Sequence, residues 1–597
     1  MTILSSLMKA YGRLPDAPPP GYSFEGIGFV ISLDEDGNVV NVIDCREGDG
    51  KKAKPKLMLV PQPAKRTNGI NPSFLWDKAS YVLGVSTDTN IHSVGEDETD
   101  PGVADRTAKE TKRAADNHRA FVDWHQELIG ESEDPGLKAF KLFLHSWNPE
   151  RFTDLGWPDE MKGQNIVFAL EADRLKGIYL HDREAAKALW QQASSGVEKT
   201  EVCLVTGERG VIARLHRSVK GVSDARSSGA SLVSFNEDAF ESYGRKQGEN
   251  APVSEDAAFA YTTALNCFLK KDSGHRLQIG DASTVFWADA SDRVVAEEAE
   301  ALFSMMFEAD EMNGSYEQVE TSRIRAKLDL IRNGVVLEEV DPRLSNGVDF
   351  YILGLSPNSA RVSVRFFYVN DIGDFARNYQ QFVADTRIDP PPRDGYPPLQ
   401  RYLRETAVLR KPENIMPNLA GEWMRSILTG TNYPLTLMSS VLGRIRADGN
   451  INPLRVGILK AVLVRNFKRE NTPVAFDPTN TNRGYLLGRL FAVYEKIQTA
   501  ALGREINATI KDKFYGSASA QPRKVFHVIE RGASNHLSKL GKLMPGYRVT
   551  LEKEVSAIMD LMTPGQNPFP VSLSAEEQAL FALGYYHQRN EFFKKKS

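Results

Sequence analysis

An α+β chain in several domains is what the sequence predicts, with strands and helices mixed as far as residue 395 and helices almost alone beyond it. Three observations carry this expectation. Phe24 to Cys45 alternates as strand, Asp36-Gly37 turn and strand, which is a hairpin signature. Arg361-Val362-Ser363-Val364-Arg365-Phe366 alternates strictly, which puts Arg361, Ser363 and Arg365 on one face, opposite the core side. After Asp389-Pro390-Pro391-Pro392 and Tyr396-Pro397-Pro398 the apolar spacing becomes helical. At 597 residues the chain is too long for one core. The predicted division is an N-terminal α+β domain over 1–250, a central α+β domain over 251–395, a helical connector over 396–475 and an all-α C-terminal bundle over 476–597.

Taken in order, MTILSSLMKAYGRL has apolar residues at helical spacing and neither a long apolar run nor a cleavage signature, so a short amphipathic helix is expected rather than a signal peptide. Pro15 to Pro20 is a stiff spacer, the hairpin follows, and Leu57 to Val60 reads as a strand. Ser86 to Arg106 is polar and acidic and reads as a loop. Phe121, Trp124 and Leu128 then set a helix, on which His118 and His125 stand seven apart without an evident third ligand. Gln164 to Leu170 is a strand, Arg183 to Gln192 a helix, and Glu201 to Val205 a strand. Ser218 to Phe235, rich in Gly and Ser, reads as a flexible loop, either a plain surface loop or one that wraps a nucleic-acid strand. Helix, strand and helix follow from Ser254 to Phe307, then a hairpin within Glu338 to Val369. Ser574-x-x-Glu577 is a capping box that opens the last helix.

Charge is divided unevenly. From Arg401 onwards there are 29 Lys and Arg against 16 Asp and Glu, a net +13, which leaves −17 on the first 400 residues. That suggests a polyanion partner for the C-terminal part. It also makes strong DNA binding by the isolated chain unexpected, since any duplex surface in the N-terminal part is a local basic patch on an acidic body. Cys45, Cys203 and Cys267 lie too far apart for a disulfide framework or a zinc knuckle, which fits a reducing compartment. No run approaches the about 20 apolar residues that cross a bilayer, so a cytoplasmic protein is expected.

The stretch Pro61 to Gly84, PQPAKRTNGINPSFLWDKASYVLG, organises the chemistry. Lys65 and Arg66 supply charge, Thr67-Asn68-Gly69 and Asn71-Pro72 are turn signals, and Phe74-Leu75-Trp76 is an anchor in a core. Two cations and two amides on such a loop suit a nucleic-acid groove: Lys65 and Arg66 for phosphate or minor-groove contact, Asn68 and Asn71 for base edges. An ordinary surface loop is the other reading. A Walker-type phosphate loop, G-x-S-x-G, a zinc-protease helix and paired C-x-x-C are all missing. His181-Asp182 matches a metal-phosphohydrolase dyad without further histidines to complete a site. Asp281, Asp289 and Asp292 flank the strand Thr284 to Trp287, and are either solvated strand ends or carboxylates that hold Mg²⁺ in a nuclease.

Four segments, in order, carry a family resemblance. They are R-x-N-G-I-N-P-x-F-L-W-D-x-x-x-Y-V-L-G from Arg66, Thr284 to Ala288 (TVFWA), Phe350 to Phe367 (FYILGLSPNSARVSVRFF) and Asn432 to Phe467. Together they resemble the large subunit of the type I-C CRISPR interference complex (Cascade), the Csd or Dvulg-subtype family. The resemblance implies a non-catalytic subunit without cofactor or metal, near the 5′ end of a CRISPR RNA that lies along backbone subunits beside a guide-processing subunit. It would read the protospacer-adjacent motif in double-stranded target DNA, help part the strands into an R-loop, and present the displaced strand to a separate helicase-nuclease. The C-terminal bundle is similar to the small subunit of such complexes, which this family also makes separately from the same gene. Its cations Arg483, Arg489, Arg504, Lys511, Lys513, Arg523, Lys524 and Arg531 would follow the backbone of the displaced strand. An assembly-only scaffold without DNA contact, and a nuclease that uses the central aspartates, are the alternatives.

Overall fold

A computed structural model of the chain describes residues 1–15, 17–48, 53–63, 66, 69–87, 101–194, 200–226, 229–307, 318–345, 347–393, 395–503, 507–563 and 567–594. The class is α+β, with sheets in the N-terminal and central stretches and helices almost unbroken after Leu399, as the sequence predicts. Packing groups the chain into two compact units. One takes Leu14–Leu215 and Glu237–Ala260; the other takes Met1–Arg13, His216–Asn236 and Tyr261–Ser597. The chain thus passes from one unit to the other four times, whereas composition suggests four consecutive segments.

In the unit that holds Leu14–Leu215, β1 (Tyr22–Ile27) pairs antiparallel with β4 (Lys56–Pro61). A second sheet has the order β3-β2-β6-β5, formed by β2 (Phe29–Leu33), β3 (Val39–Asp44), β5 (Trp76–Lys78) and β6 (Asn165–Leu170). β2 and β6 run parallel, and the outer pairs are antiparallel. β2 reads Phe-Val-Ile-Ser-Leu without alternation because it is buried on both faces. Phe29, Ile31 and Phe168 face helices Pro101–Ile129 and Pro135–Ser146. Val30, Val167 and Trp76 face Met58 and Val60 of the two-stranded sheet. Gly28 sits where the chain steps between the sheets, and a Cβ there would lie 2.6 Å from that of Gln164. A small hairpin, β7 (Thr200–Val202) and β8 (Arg209–Val211), completes the strands of this unit.

The other unit is built on an antiparallel sheet of order β12-β11-β10-β9, with β9 (Arg276–Ile279), β10 (Ala282–Asp289), β11 (Asp349–Asn358) and β12 (Arg361–Asp371). Phe286, Ala288, Phe350 and Ile352 face the core of helices Arg293–Phe307 and Ile372–Thr386. On the opposite face Trp287 stacks on Tyr351 at 5.4 Å and on Phe268 at 5.8 Å. Helix Ile3–Tyr11 is tied to the end of β10: Lys9 Nζ donates to Asp289 at 2.6 Å, and the Arg13 guanidinium donates to the Ala288 carbonyl.

Two expectations are corrected here. The alternation of β12 is broken. Gly354 pairs with Phe366 and Leu355 with Val364, so Arg365 is an extra, bulged residue and does not continue the face of Arg361 and Ser363. Glycine at 354 makes room, since a Cβ would lie 2.4 Å from the Phe366 ring. Nor is Ser218 to Phe235 a free loop. Val219, Val222 and Ala230 are buried, and Ser231 joins the edge of β12, with Val362 N donating to Ser231 O at 3.0 Å.

One apolar core runs from Leu277 through the C-terminal helices to Tyr586. Helices Arg483–Leu502 and Ala575–Glu591 cross at backbone distance because Gly484, Gly488 and Gly584 line the crossing. The capping box is formed: Ser574 Oγ accepts from Glu577 N at 3.2 Å, and Glu577 Oε2 accepts from Ser574 N at 3.0 Å.

Candidate nucleic-acid interface

Residues 62–75 connect β4 to β5, and the connection is closed at its base. The Trp76 indole Nε1–H donates to the Pro61 carbonyl at 2.7 Å, so the two ends of the loop are held together. Phe74, Leu75 and Trp76 are buried, and the backbone turns at Leu75, which has φ 61°. A bulky residue in the left-handed region is held only where its surroundings fix it. Here His125 does so: its Nε2 accepts from Leu75 N at 2.9 Å while Nδ1 bonds the Phe121 carbonyl at 2.7 Å. The ring is therefore neutral, and burial lowers its pKa to about 4.

That histidine gives the loop anchor a pH dependence with a definite sign. A histidine depressed in the fold binds its proton more readily unfolded, so its contribution is present above about pH 6.5 and is lost as pH falls towards 4. The expected loss is about 3 kcal/mol across that window. Stability curves for wild type and His125→Gln, measured by urea unfolding from pH 7 to 4, should converge on acidification. A wild-type slope that His125→Gln leaves intact would refute it. His118 is likewise committed, its Nδ1 lying 2.9 Å from the Tyr81 carbonyl, so the two helix histidines brace backbone rather than share a ligand.

Of the four loop residues singled out in the sequence, Lys65 and Asn68 lie outside the described residues. Arg66 is the internal strut of the loop. Its Nε donates to the Asn71 carbonyl at 2.8 Å, its guanidinium is paired with the Asp77 carboxylate, and it lies over the Tyr81 ring at 4.0 Å from the centroid. Asp77 is buried and also accepts from Ser73 N at 2.8 Å; burial raises its pKa, against the pull of Arg66. Gly69, Ile70 and Asn71 are exposed, so the braced loop offers a short stretch of chain at the surface. The strut and the His125 brace are what sequence reasoning missed; Arg66 stood there as a phosphate or minor-groove contact.

The C-terminal cations divide. Arg523, Lys524 and Arg531 are exposed along helix Pro522–Leu543, and Lys513 is exposed and Lys511 half-exposed on Ile510–Ala520. His527 lies between Lys524 and Arg531 at three- and four-residue spacing, and Lys539 and Lys542 follow eight and eleven residues beyond Arg531, a signal readable in the sequence. The stripe runs along a helix about 33 Å long. Arg483 is held by Glu577 at 2.9 Å. Arg504 lies outside the described residues. Arg489 does not belong to the set: it is 3% exposed, and its guanidinium donates to Gln588 Oε1 at 2.9 Å and the Pro478 carbonyl at 3.1 Å. Its side chain is a packing element between helices.

The sequence model of the CRISPR-associated protein family Cas_Csd1 matches residues 7–593. The chain belongs to the Cas_Csd1 family. The match starts within helix Ile3–Tyr11 and ends just beyond the last helix, so it takes in the braced loop and the cationic stripe alike. Among curated proteins none matches the chain. The resemblance seen in four motifs is thus a family relation over nearly the whole length, and this Cas_Csd1 chain is a CRISPR-associated subunit of the Cascade type.

The Cas_Csd1 fold separates the three central aspartates. Asp281 precedes β10 and Asp289 ends it, so eight steps along the strand, about 26 Å, separate them, and the set does not share one ion. Asp281 is paired with Arg365 at 2.8 Å, Asp289 with Lys9, and Asp292 accepts from Val294 N at 2.9 Å. His181 is buried with Nε2 on the Leu59 carbonyl at 3.0 Å, which makes it a structural histidine of β4. Among the described residues no three His, Cys, Asp or Glu gather as metal ligands, and no helix is long and apolar enough to cross a membrane.

Proposed function

We propose that this chain is the non-catalytic large subunit of a type I-C CRISPR surveillance complex, and that it reads the protospacer-adjacent motif in double-stranded DNA. The observation that supports this best is the loop from Pro61 to Trp76, closed at its base, braced by Arg66 on Asp77 and offering Gly69 to Asn71 at the surface. A reader of a short motif needs little surface and much pre-organisation, because base pairing with the guide carries the rest of the sequence recognition. Asn71 and Asn68 meet base edges and Lys65 meets phosphate, while Arg66 holds the loop in shape. Opening at the motif starts R-loop formation. The displaced strand follows Arg523, Lys524, Arg531, Lys511 and Lys513 by charge, blind to its sequence, and is handed to a separate helicase-nuclease. CRISPR RNA, the backbone and guide-processing subunits, and a small subunit made from the same gene are the other partners.

The test is target-duplex binding by the reconstituted complex at fixed salt, with and without the flanking motif. Asn68→Ala/Asn71→Ala should bind motif-bearing duplex no better than motif-free duplex while the complex stays assembled. The lost discrimination is worth about 1–3 kcal/mol per two-pronged base contact. Unchanged discrimination in an assembled complex overturns the role given to the loop, and unchanged target binding after the whole loop is neutralised favours an assembly-only scaffold.

A further inference from the structure

Ala407 to Lys411, Ala-Val-Leu-Arg-Lys, makes a tight turn between helix Leu399–Arg404 and helix Pro417–Thr429. Lys411 N donates to the Val408 carbonyl at 3.3 Å, and Asn414 Nδ2 donates to the same carbonyl at 3.0 Å. The two central residues, Leu409 and Arg410, both have φ 56°. Two successive left-handed residues suit Asn and Gly; a leucine there is an outlier. Burial does not compensate the strain, for Val408 is 52% and Leu409 78% exposed. An apolar side chain held out into water on strained backbone adds nothing to the stability of the chain by itself, and such strain concentrates where a ligand is met.

The ground around it is cationic. Arg404, Arg410 and Lys411 are exposed. The nearest acid in sequence, Glu405, is buried and shared between Arg455 at 2.8 Å and Arg410 at 3.2 Å. Lys411 is 3.7 Å from the exposed Glu413, and Arg404 has no ion pair among the described residues. A protein partner would use the apolar tip without calling for three cations around it; a polyanion with apolar layers uses both. We propose that this turn is a nucleic-acid contact in which Leu409 inserts between neighbouring bases while Arg404, Arg410 and Lys411 meet the flanking phosphates. Apolar side chains that enter a base step unstack it and hold it open, and the surrounding cations supply the affinity. The inference rests on the reading that the chain meets nucleic acid in its complex, and adds to it a contact outside both the motif loop and the C-terminal stripe.

Leu409→Gly tests it, because glycine fits the left-handed turn and removes only the side chain. The chain carrying Leu409→Gly should melt at or above the wild-type temperature, and the reconstituted complex should bind target duplex on the order of tenfold more weakly, equivalent to about 1.4 kcal/mol. Its preference for motif-bearing duplex should persist, which separates this contact from the motif loop. Arg404→Gln/Lys411→Gln should lower the slope of log affinity against log salt by about 2. If the wild-type complex binds target and the glycine variant binds equally well, the proposal is overturned and the proposed function stands. A complex that fails to assemble with Leu409→Gly makes the turn a protein contact and also overturns it. A wild-type complex that binds no target duplex removes both.

Discussion

Gly488→Ala lowers the stability of the unit built on the C-terminal helices by about 3 kcal/mol. The expectation comes from where a methyl group would go: 2.0 Å from the Phe581 carbonyl oxygen and 2.9 Å from Tyr585 N, both backbone atoms of helix Ala575–Glu591. A flexible side chain would swing aside, but a helix backbone moves only as a rod. Gly584 meets the reverse of the same crossing, with a Cβ 2.1 Å from the Tyr485 oxygen, so Gly584→Ala should behave alike. Separating the rods by an ångström or more also loosens Phe491, Phe581 and Tyr585, which pack across them. Gly532 supplies the control. It is helical with open space at its Cβ, and Gly532→Ala should stabilise by about 0.5–1 kcal/mol through backbone entropy alone. Urea unfolding followed by circular dichroism compares the three. Equal midpoints for wild type and Gly488→Ala would mean that the helices do not approach as closely as their glycines allow.

Asp385→Asn costs about 3–5 kcal/mol by stranding a buried cation. The Asp385 carboxylate accepts from Arg465 Nε at 2.7 Å and from the Tyr433 hydroxyl at 2.9 Å on one oxygen, and from Gln381 Nε2 at 2.8 Å on the other. Arg465 also lies over the Tyr433 ring, 4.1 Å from its centroid. All three of Asp385, Arg465 and Tyr433 are buried. Burial first, and the carboxylate second, raise the Tyr433 pKa well above the usual phenol range, so its hydroxyl stays a donor. Asparagine keeps the shape and removes the charge that pays for bringing Arg465 inside. Asp385→Asn/Arg465→Met should therefore recover part of the loss, since an uncharged pair needs no counter-ion. A double-mutant cycle on thermal or urea unfolding measures the coupling, and strictly additive losses would show that the two groups are independent.

Local features of this fold were readable because their causes are local. The β2–β3 hairpin follows from two apolar runs about the Asp36-Gly37 turn, though β2 does not alternate and the run from Phe24 is split at Gly28 between two sheets; the TVFWA strand follows from its run of apolar residues, and the last helix from Ser574 and Glu577. Pairings between distant segments were not readable: β2 lies parallel to β6 more than 130 residues on, which no periodicity announces. The bulge at Arg365 escaped because it depends on Gly354 across the ladder, not on β12 itself. Arg489 read as a surface cation because sequence gives a charge without its partner, and the partner lies 99 positions away. At the candidate site the aromatic anchor was legible. The roles of Arg66 and His125 were not, since a phosphate ligand and a strut carry the same guanidinium, and the brace on Leu75 comes from a helix 50 residues further on.

The seat of helix Ile3–Tyr11 has a consequence for how the chain is made. Lys9 meets Asp289 across 280 positions, and between them lies nearly all of the other unit. On a ribosome that adds about 5–20 residues per second, the first helix waits on the order of 15–60 s before its binding site has even been synthesised. The earliest part of the polypeptide thus docks only after about half of the chain has been made, at the end of an inner strand of the sheet.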